Sequence, residues 1–303
     1  MIERIHLQII KAVEQYGSLT AAAEQLCLTQ SALSHTMRKL ENNLGNKVWL
    51  REGRSLRLTP SGSWLLNIAN RVLPLLDHAE DKLQQIIKGD HGTLRIGMEC
   101  HPCYRWLLKV VSPFLDDWPD VDVDVKQEFQ FGGVDALLDY QIDLLVTPDP
   151  YQKNGLYFDP VFEYEQVLVV PQGHALADCR HANAEDLYDQ ILLTYPVAKH
   201  RLDVYTQFLN LAGVVPKHHK TSENTEIMLQ MVVANRGVTA LPRWLAEEYC
   251  AELPLVMVRL GESGIVKKIY LGMRESDEDI KYLKGFIDLA RNYQQRTGID
   301  GQL

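Results

Sequence analysis

The stretch SLTAAAEQLCLTQSALSHTMRKLENNLGNKVWLREGRSLRLTPSG, residues 18–62, decides how the rest of the chain is read. Ser18 suits an N-cap, and Leu19, Ala22, Ala23 and Leu26 share one face of a short helix. The alanines let a second helix approach closely at a steep angle, as a helix-turn-helix requires. After a break at Cys27-Leu28-Thr29, a longer helix is expected from about Gln30 to Leu44, with Leu33, Met37, Leu40 and Leu44 on its apolar side. Its other side offers Gln30, Ser31, Ser34, His35 and Arg38. These are short or forked hydrogen-bonding groups of the kind that meet base edges. The helix start adds free N–H groups and a positive dipole end, both suited to phosphate. Beyond Gly45, two short apolar strands around Arg51, Gly53 and Arg54 make a basic hairpin, a wing beside the helix pair.

Working outward, residues 3–15 carry Ile5, Ile9, Ala12 and Val13 at helical spacing, and Gly17 ends that helix. Charge is uneven along the chain. The 303 residues carry a net −9, yet the first sixty carry +3 and the remainder −12. A mildly basic head on an acidic body suits a head that meets nucleic acid.

Residues 2–62 taken together resemble the N-terminal winged helix-turn-helix of LysR-type transcriptional regulators. The resemblance implies DNA contacts at Gln30, Ser31, Ser34, His35 and, in the wing, Arg51 and Arg54; the helix face read above adds Arg38. His35 stands where that family commonly has arginine, and Ser31 where it often has proline. Both differences bear on base preference and leave the fold alone.

Thr59 and Pro60 read as the N-cap and first position of a long helix. Leu65, Ala69, Val72, Leu76, Ala79, Leu83 and Ile86 repeat at spacings of 4 and 3, the period of a coiled-coil seam. Pro74 lies off the seam and should bend the helix or remove one of its bonds. The seam points to dimerisation, and the resemblance to a homodimer or tetramer. KGDHGT, residues 88–93, reads as a hinge.

From Thr93 onward, strands and helices alternate, which implies an α/β body with parallel strands covered by helices. Strands are expected at TLRIGME, VDVDVKQ, IDLLV, LYFDPVF, QVLVVP, ILLTY, GVTALP, LPLVMVRL and VKKIYLGM. Helices are expected at YRWLLKVVSPFLDDW and GGVDALLDY, and over 202–211, 225–235, 243–250 and 277–294. The resemblance implies a two-lobed effector domain like a periplasmic binding protein, with a small molecule between the lobes. The expected organisation is a winged helix-turn-helix over 1–60, a linker helix over 61–88 and an effector domain over 89–303. Lobe one takes about 93–161 and 267–303, and lobe two about 162–266. The segments IGMECHPCYRWL, FEYEQVLVVPQGHAL, LLTYPVAKHRLDVYTQFLNLAGV, NTEIMLQMVVANRGVTALPRW and DLARN are similar to the family's methionine-biosynthesis activators. That branch takes homocysteine as effector.

Cys100-His101-Pro102-Cys103 lies between the first strand of the body and the helix after it. Structural zinc wants four ligands, and Cys27, Cys179 and Cys250 are isolated, so no second pair exists. Ligand binding is the first reading: N–H groups at the helix start grip a carboxylate, and Cys100, His101 and Cys103 shape the pocket. A redox switch is the second, because a C-x-x-C at a helix start can close a disulfide. Plain loop packing is the third. For homocysteine, the ammonium needs a carboxylate, and Glu99, Glu128 and Asp203 are candidates. Arg201 suits the carboxylate. Phe129, Phe131 and Tyr195 suit the apolar part, and Asn224 and Thr225 open a helix that offers further donors.

Catalytic signatures are missing: there is no G-x-S-x-G, H-E-x-x-H, P-loop or G-x-G-x-x-G. The chain is therefore expected to be no enzyme, to need no cofactor and to hold no metal. An α/β solute-binding protein or enzyme stands as the alternative of another class. Five cysteines, no apolar run of membrane length and a charged start lead to the expectation of a cytoplasmic protein without membrane contact. Promoter DNA is the expected partner, and the resemblance adds RNA polymerase.

Overall fold

A computed structural model of the chain describes residues 1–52, 55–88, 91–126 and 132–297. It forms two compact units. One comprises residues 1–92 with 135–141, and the other residues 93–134 with 142–303.

The first unit begins with α1 (Arg4–Tyr16), α2 (Leu19–Gln25) and α3 (Gln30–Leu44). Ser18 caps α2 by accepting from the Ala21 N–H at 3.1 Å, and Thr29 caps α3 by accepting from the Ala32 N–H at 3.2 Å. Gly17 and Gly45 end α1 and α3 in the left-handed conformation that glycine adopts without steric cost. Ala22 and Ala23 are buried at the helix crossing, among Ile9, Ile10, Leu33, Met37 and Leu40. Leu44, expected on the apolar side of α3, is exposed, because the helix ends before that turn meets the core.

Strands β1 (Trp49–Glu52) and β2 (Ser55–Leu58) pair antiparallel, with Trp49 opposite Leu58 and Arg51 opposite Leu56. The Thr59 hydroxyl donates to the Lys47 carbonyl at 2.6 Å and accepts from the Gly62 N–H at 3.1 Å. It thereby ties the base of the wing to the first turn of α4 (Pro60–Lys88). Gly62 makes that junction possible: a Cβ there would sit 2.2 Å from the Val48 carbonyl oxygen.

The heptad stripe of α4 divides. Leu65 and Ala69 are buried within the unit, as is Leu73, a residue outside the expected seam. They pack with residues of the winged head, Leu7 of α1 among them. Further along, Leu75, Leu76 and Leu83 are exposed. The Ile86 side chain lies outside the described residues. Arg4 of α1 pairs with Asp77 at 2.6 Å and with Glu80, which fixes α1 along α4.

The second unit contains one ten-stranded sheet. In chain order the elements are β3 (Gly92–Met98), α5 (Tyr104–Asp117), β4 (Val121–Lys126), α6 (Gly133–Leu138, which from residue 135 is counted with the first unit), β5 (Leu144–Thr147) and β6 (Leu156–Pro171). Then come β7 (His181–Ala182), β8 (Ile191–Thr194), β9 (His218–Thr221), α7 (Thr225–Val233), β10 (Val238–Pro242) and α8 (Arg243–Cys250). The last described elements are β11 (Leu255–Leu260), β12 (Ile265–Arg274) and α9 (Lys281–Thr297). The strand order is β4-β3-β5-β12-β6-β10-β8-β9, and β11 pairs with β6 and β7. β3 runs parallel to β5, and β8 parallel to β9 and β10, as alternating strands and helices imply.

The middle of the sheet differs from the expectation. LYFDPVF and QVLVVP are a single strand, β6, antiparallel to β12 from Leu156↔Arg274 to Gln166↔Ile265. Polar Glu163 and Glu165 sit inside it because the backbone ladder to Lys268 and Val266 continues through them. The register shifts between Ile269 and Tyr270, opposite the segment that contains Pro160, whose ring nitrogen cannot donate. The helix expected over 202–211 is a π-helix at Val204–Leu209. Its wider turn brings Val204, Tyr205 and Leu209 into the core together.

Core packing runs through both halves of the sheet. Phe162 of β6 lies 5.1 Å from the Trp106 ring of α5 and 6.4 Å from the Trp244 ring of α8. At the far end of β12, buried Arg274 donates to Asp277 at 2.5 Å, Asp143 at 2.8 Å and the Ile142 carbonyl at 2.6 Å. Arg95 meets the same Asp143 at 2.9 Å, so one buried and one half-buried cation face two buried anions.

We expect Gly62→Ala to destabilise the winged head by about 1–3 kcal/mol through its clash with the Val48 carbonyl. Urea denaturation of the full chain, read by circular dichroism, should show an early-melting fraction. An unchanged curve would contradict the close approach.

Candidate ligand cleft and nucleic-acid interface

On α3, Leu33, Met37 and Leu40 face the core, while Gln30, Ser31, His35 and Arg38 are exposed and Ser34 is half-buried. At ~100° per residue the five polar positions fall within about 140° of the helix circumference. They form a single outward face. Arg51 sits in β1, but its side chain, like all of Arg54, lies outside the described residues.

In the second unit, β3, β5 and β8 deliver their carboxyl ends to one cleft, the place where open α/β sheets hold ligands. The cleft has a volume of about 100 Å³. Glu99 and Cys100 follow β3, Pro148 and Asp149 follow β5, and Tyr195 and Val197 follow β8. Tyr164 and Gln166 come from β6, and Arg201 and Asp203 from the turn that precedes the π-helix.

Charges in and beside this cleft are opposed and mostly half-buried. Glu99 accepts from the Gly133 N–H at 3.0 Å and from the Thr147 hydroxyl at 2.9 Å, and its carboxylate stands 3.8 Å from the Arg201 guanidinium. Lys267 of β12 lies 2.8 Å from Asp149 and 3.2 Å from Asp203. Burial works to lower the Lys267 pKa, but Asp149 and Asp203 outweigh it and hold the ammonium above its usual range. Burial, with Asp203 and Asp149 nearby, pushes the Tyr164 phenol up. Burial does the same to Tyr195, so both remain protonated at neutral pH.

Tyr195 closes one side of the cleft. Its hydroxyl shares a 2.7 Å hydrogen bond with Thr225. A second cavity, of about 220 Å³, is lined by Met98, Cys100, Tyr104, Arg105, Asn224, Thr225 and Tyr249, among others. The Arg105 guanidinium sits 4.3 Å from the centre of the Tyr249 ring, and the Tyr249 hydroxyl donates to Glu226 at 2.6 Å. That bond, first among several causes, lowers the Glu226 pKa.

Cys100 and Cys103 are joined by a disulfide, with 5.4 Å between their Cα atoms. Cys100 lines both cavities. Cys103 is 1% exposed, and its N–H is taken by the Cys100 carbonyl at 3.2 Å. Residues 101–103 form a 3-10 turn; the His101 side chain lies outside the described residues.

Of the residues singled out in the sequence, Glu99, Cys100, Tyr195, Arg201 and Asp203 meet in the cleft. Asn224 and Thr225 line the second cavity instead, and Asn224 caps α7 by accepting from the Ile227 N–H at 2.8 Å. Glu128, Phe129 and Phe131 lie outside the described residues. Sequence reasoning missed Asp149, Tyr164, Gln166 and Lys267. Asp149 had a signal, since it follows the buried run of β5; the other three depend on the crossing of β6 and β12. Among the described residues, no group of three or more His, Cys, Asp or Glu side chains is arranged to hold a metal ion. None of the described helices is long and apolar enough to cross a membrane.

Comparison with known proteins agrees with this geometry. Residues 5–63 match the bacterial regulatory helix-turn-helix protein model of the lysR family, and residues 88–295 match the LysR substrate binding domain. The HTH-type transcriptional regulator MetR of Escherichia coli (strain K12) is 40% identical over 293 residues, 97% of this chain and 91% of that protein. The regulatory domain of MetR, a LysR family regulator from N. meningitidis, superposes with a TM-score of 0.62 at 33% identity, covering 68% of this chain and 94% of that one. Full-length CbnR, solved with its target DNA, shares the fold at a TM-score of 0.72 and 22% identity, covering 96% of this chain and 99% of that one. The chain belongs to the LysR family of helix-turn-helix, DNA-binding transcriptional regulators.

Proposed function

We propose that this regulator controls methionine-biosynthesis genes and that homocysteine, held in the cleft, is its co-effector. One observation carries the ligand reading: Arg201, Glu99, Asp149 and Asp203 line a single small cleft, and Lys267 pairs with the last two. Such a lining suits a zwitterion, with the ligand carboxylate on Arg201 and its ammonium beside the acids. The 40% identity to MetR supports the choice of pathway.

In this reading residues 1–60 bind promoter DNA through Gln30, Ser31, Ser34, His35 and Arg38, with Arg51 and Arg54 in the wing. Residues 61–88 join two copies, and the exposed Leu75, Leu76 and Leu83 of α4 are the surface for it. Residues 89–303 bind the effector. A homodimer presents two heads to a palindromic site, and two dimers make a tetramer. The effector acts by binding one arrangement better than another, which changes the contacts offered to DNA and to RNA polymerase.

A second reading rests on the disulfide. In it, Cys100 and Cys103 sense oxidants, and closure or opening of the pair replaces effector binding as the signal.

Two outcomes follow. Titration calorimetry of the full chain should show saturable homocysteine binding, and Arg201→Ala should weaken it at least about tenfold by removing a charge-assisted bond. An unaltered affinity would remove Arg201 from the site. In gel-shift titrations on methionine-gene promoter fragments, Ser34→Arg should abolish specific binding with an unchanged circular dichroism spectrum. Retained operator affinity would move the DNA interface off α3.

A further inference from the structure

The cleft holds, besides its charges, an electrophile that the zwitterion reading does not use. Cys100 immediately follows Glu99, the partner of Arg201, so the charged pair and the disulfide belong to one wall. Of the two bridge residues, Cys100 lines the cleft and Cys103 does not. Both are buried, Cys100 at 5% and Cys103 at 1% exposed, and Cys103 directly precedes α5, a helix of fourteen residues. A thiol entering the cleft therefore meets Cys100 first. The group displaced would be Cys103, at a helix start whose free N–H groups and dipole stabilise a thiolate. A stabilised thiolate is the better leaving group in thiol–disulfide exchange.

We propose that the cleft captures a small thiol-bearing amino acid covalently, as a mixed disulfide with Cys100. The ligand thiolate attacks Cys100 Sγ and a ligand–Cys100 S–S bond forms. The Cys100–Cys103 bond breaks, its electron pair leaves on Cys103 Sγ, and the proton lost by the ligand thiol is returned there. One disulfide is consumed and one is made, so no external oxidant or reductant enters. The proposal rests on the cleft being the effector site, and it differs from the oxidant-sensing reading because the bridge is the reactant that the ligand consumes. It also selects the ligand by two independent chemistries, charge at Arg201 and the acids, and sulfur at Cys100.

Opening the bridge would also reach beyond the cleft. It releases the turn that leads into α5, whose Arg105 stacks on Tyr249 and lies 3.5 Å from Glu226 and from Glu248. Lys109, one turn on, also pairs with Glu248. These contacts join α5 to α7 and α8, so capture at Cys100 acts directly on the seam between the two halves of the sheet.

The test uses the full-length protein in its disulfide form, under anaerobic conditions, with one equivalent of homocysteine. Separate samples receive methionine, which has no free thiol, or 2-mercaptoethanol, which has no charges. Each sample is acid-quenched, alkylated with N-ethylmaleimide and read by intact-mass and peptide mass spectrometry. The expected result is one homocysteine on the Cys100 peptide, an alkyl group on Cys103, and reversal by dithiothreitol. Methionine should give no adduct, and 2-mercaptoethanol should react at least about tenfold more slowly, because it lacks a bound, oriented complex. Cys100→Ser should carry no homocysteine at that position. Saturable homocysteine binding by calorimetry with the Cys100–Cys103 bridge intact would overturn covalent capture and leave the effector reading standing. Equal labelling by 2-mercaptoethanol would overturn selectivity. Neither heat nor adduct would overturn the proposal and the effector reading together.

Discussion

The antiparallel ladder between β6 and β12 is the constraint on which the effector unit depends. Both strands cross from one half of the sheet to the other, and they stay paired from Leu156 and Arg274 to Gln166 and Ile265. Because they cross, Tyr164 and Gln166 of β6 line the cleft, and Lys267 of β12, in register with Tyr164, pairs with two of its lining acids. Lys267 then bridges Asp149, which follows β5, and Asp203, which lies beyond β8. One ammonium on the crossing strand thus touches acids from both halves. A ligand that competes for those acids alters a contact that both halves share, which is the differential interaction an effector needs to shift an equilibrium.

The DNA-binding head was legible in the sequence because its determinants are local. Ser18 caps the helix it was expected to cap, Thr29 of the expected break caps the next, and Ala22 and Ala23 are buried where two helices must approach closely. Thr59 opens α4 as its position implied. The long helix was less legible. A heptad stripe says that a face is covered and does not say by what; Leu65 and Ala69 face the chain's own head, whereas Leu76 and Leu83 are exposed. In the sequence, strand β6 reads as two strands because Glu163 and Glu165 interrupt its apolar run. Backbone pairing with β12 carries the strand through them.

The cleft was half legible, for a related reason. Glu99, Cys100, Tyr195, Arg201 and Asp203 sit in segments that follow strands, so position along the chain was enough to single them out. Lys267 is embedded in an alternating strand, and nothing local distinguishes it from Lys268, which pairs with Glu163 at the surface. Its role depends on long-range register. Asn224 and Thr225 suit the same ligand by chemistry alone, but Tyr195 stands between, its hydroxyl bonded to Thr225, and they line the neighbouring cavity. Cys100 and Pro102 are common to both spaces, which makes the turn at residues 100–103 the physical junction between them.

In the proposed function one compact unit of the chain holds the effector and the other meets DNA, so regulation requires a coupling between them. Linkage requires that coupling to be reciprocal: if homocysteine changes operator affinity, operator must change homocysteine affinity by the same factor. The direct measurement is the homocysteine dissociation constant of the full-length protein, by calorimetry, with and without saturating operator duplex. The account predicts constants that differ by at least about fivefold. Identical constants would contradict it, because a ligand that does not sense the DNA-bound arrangement cannot regulate it.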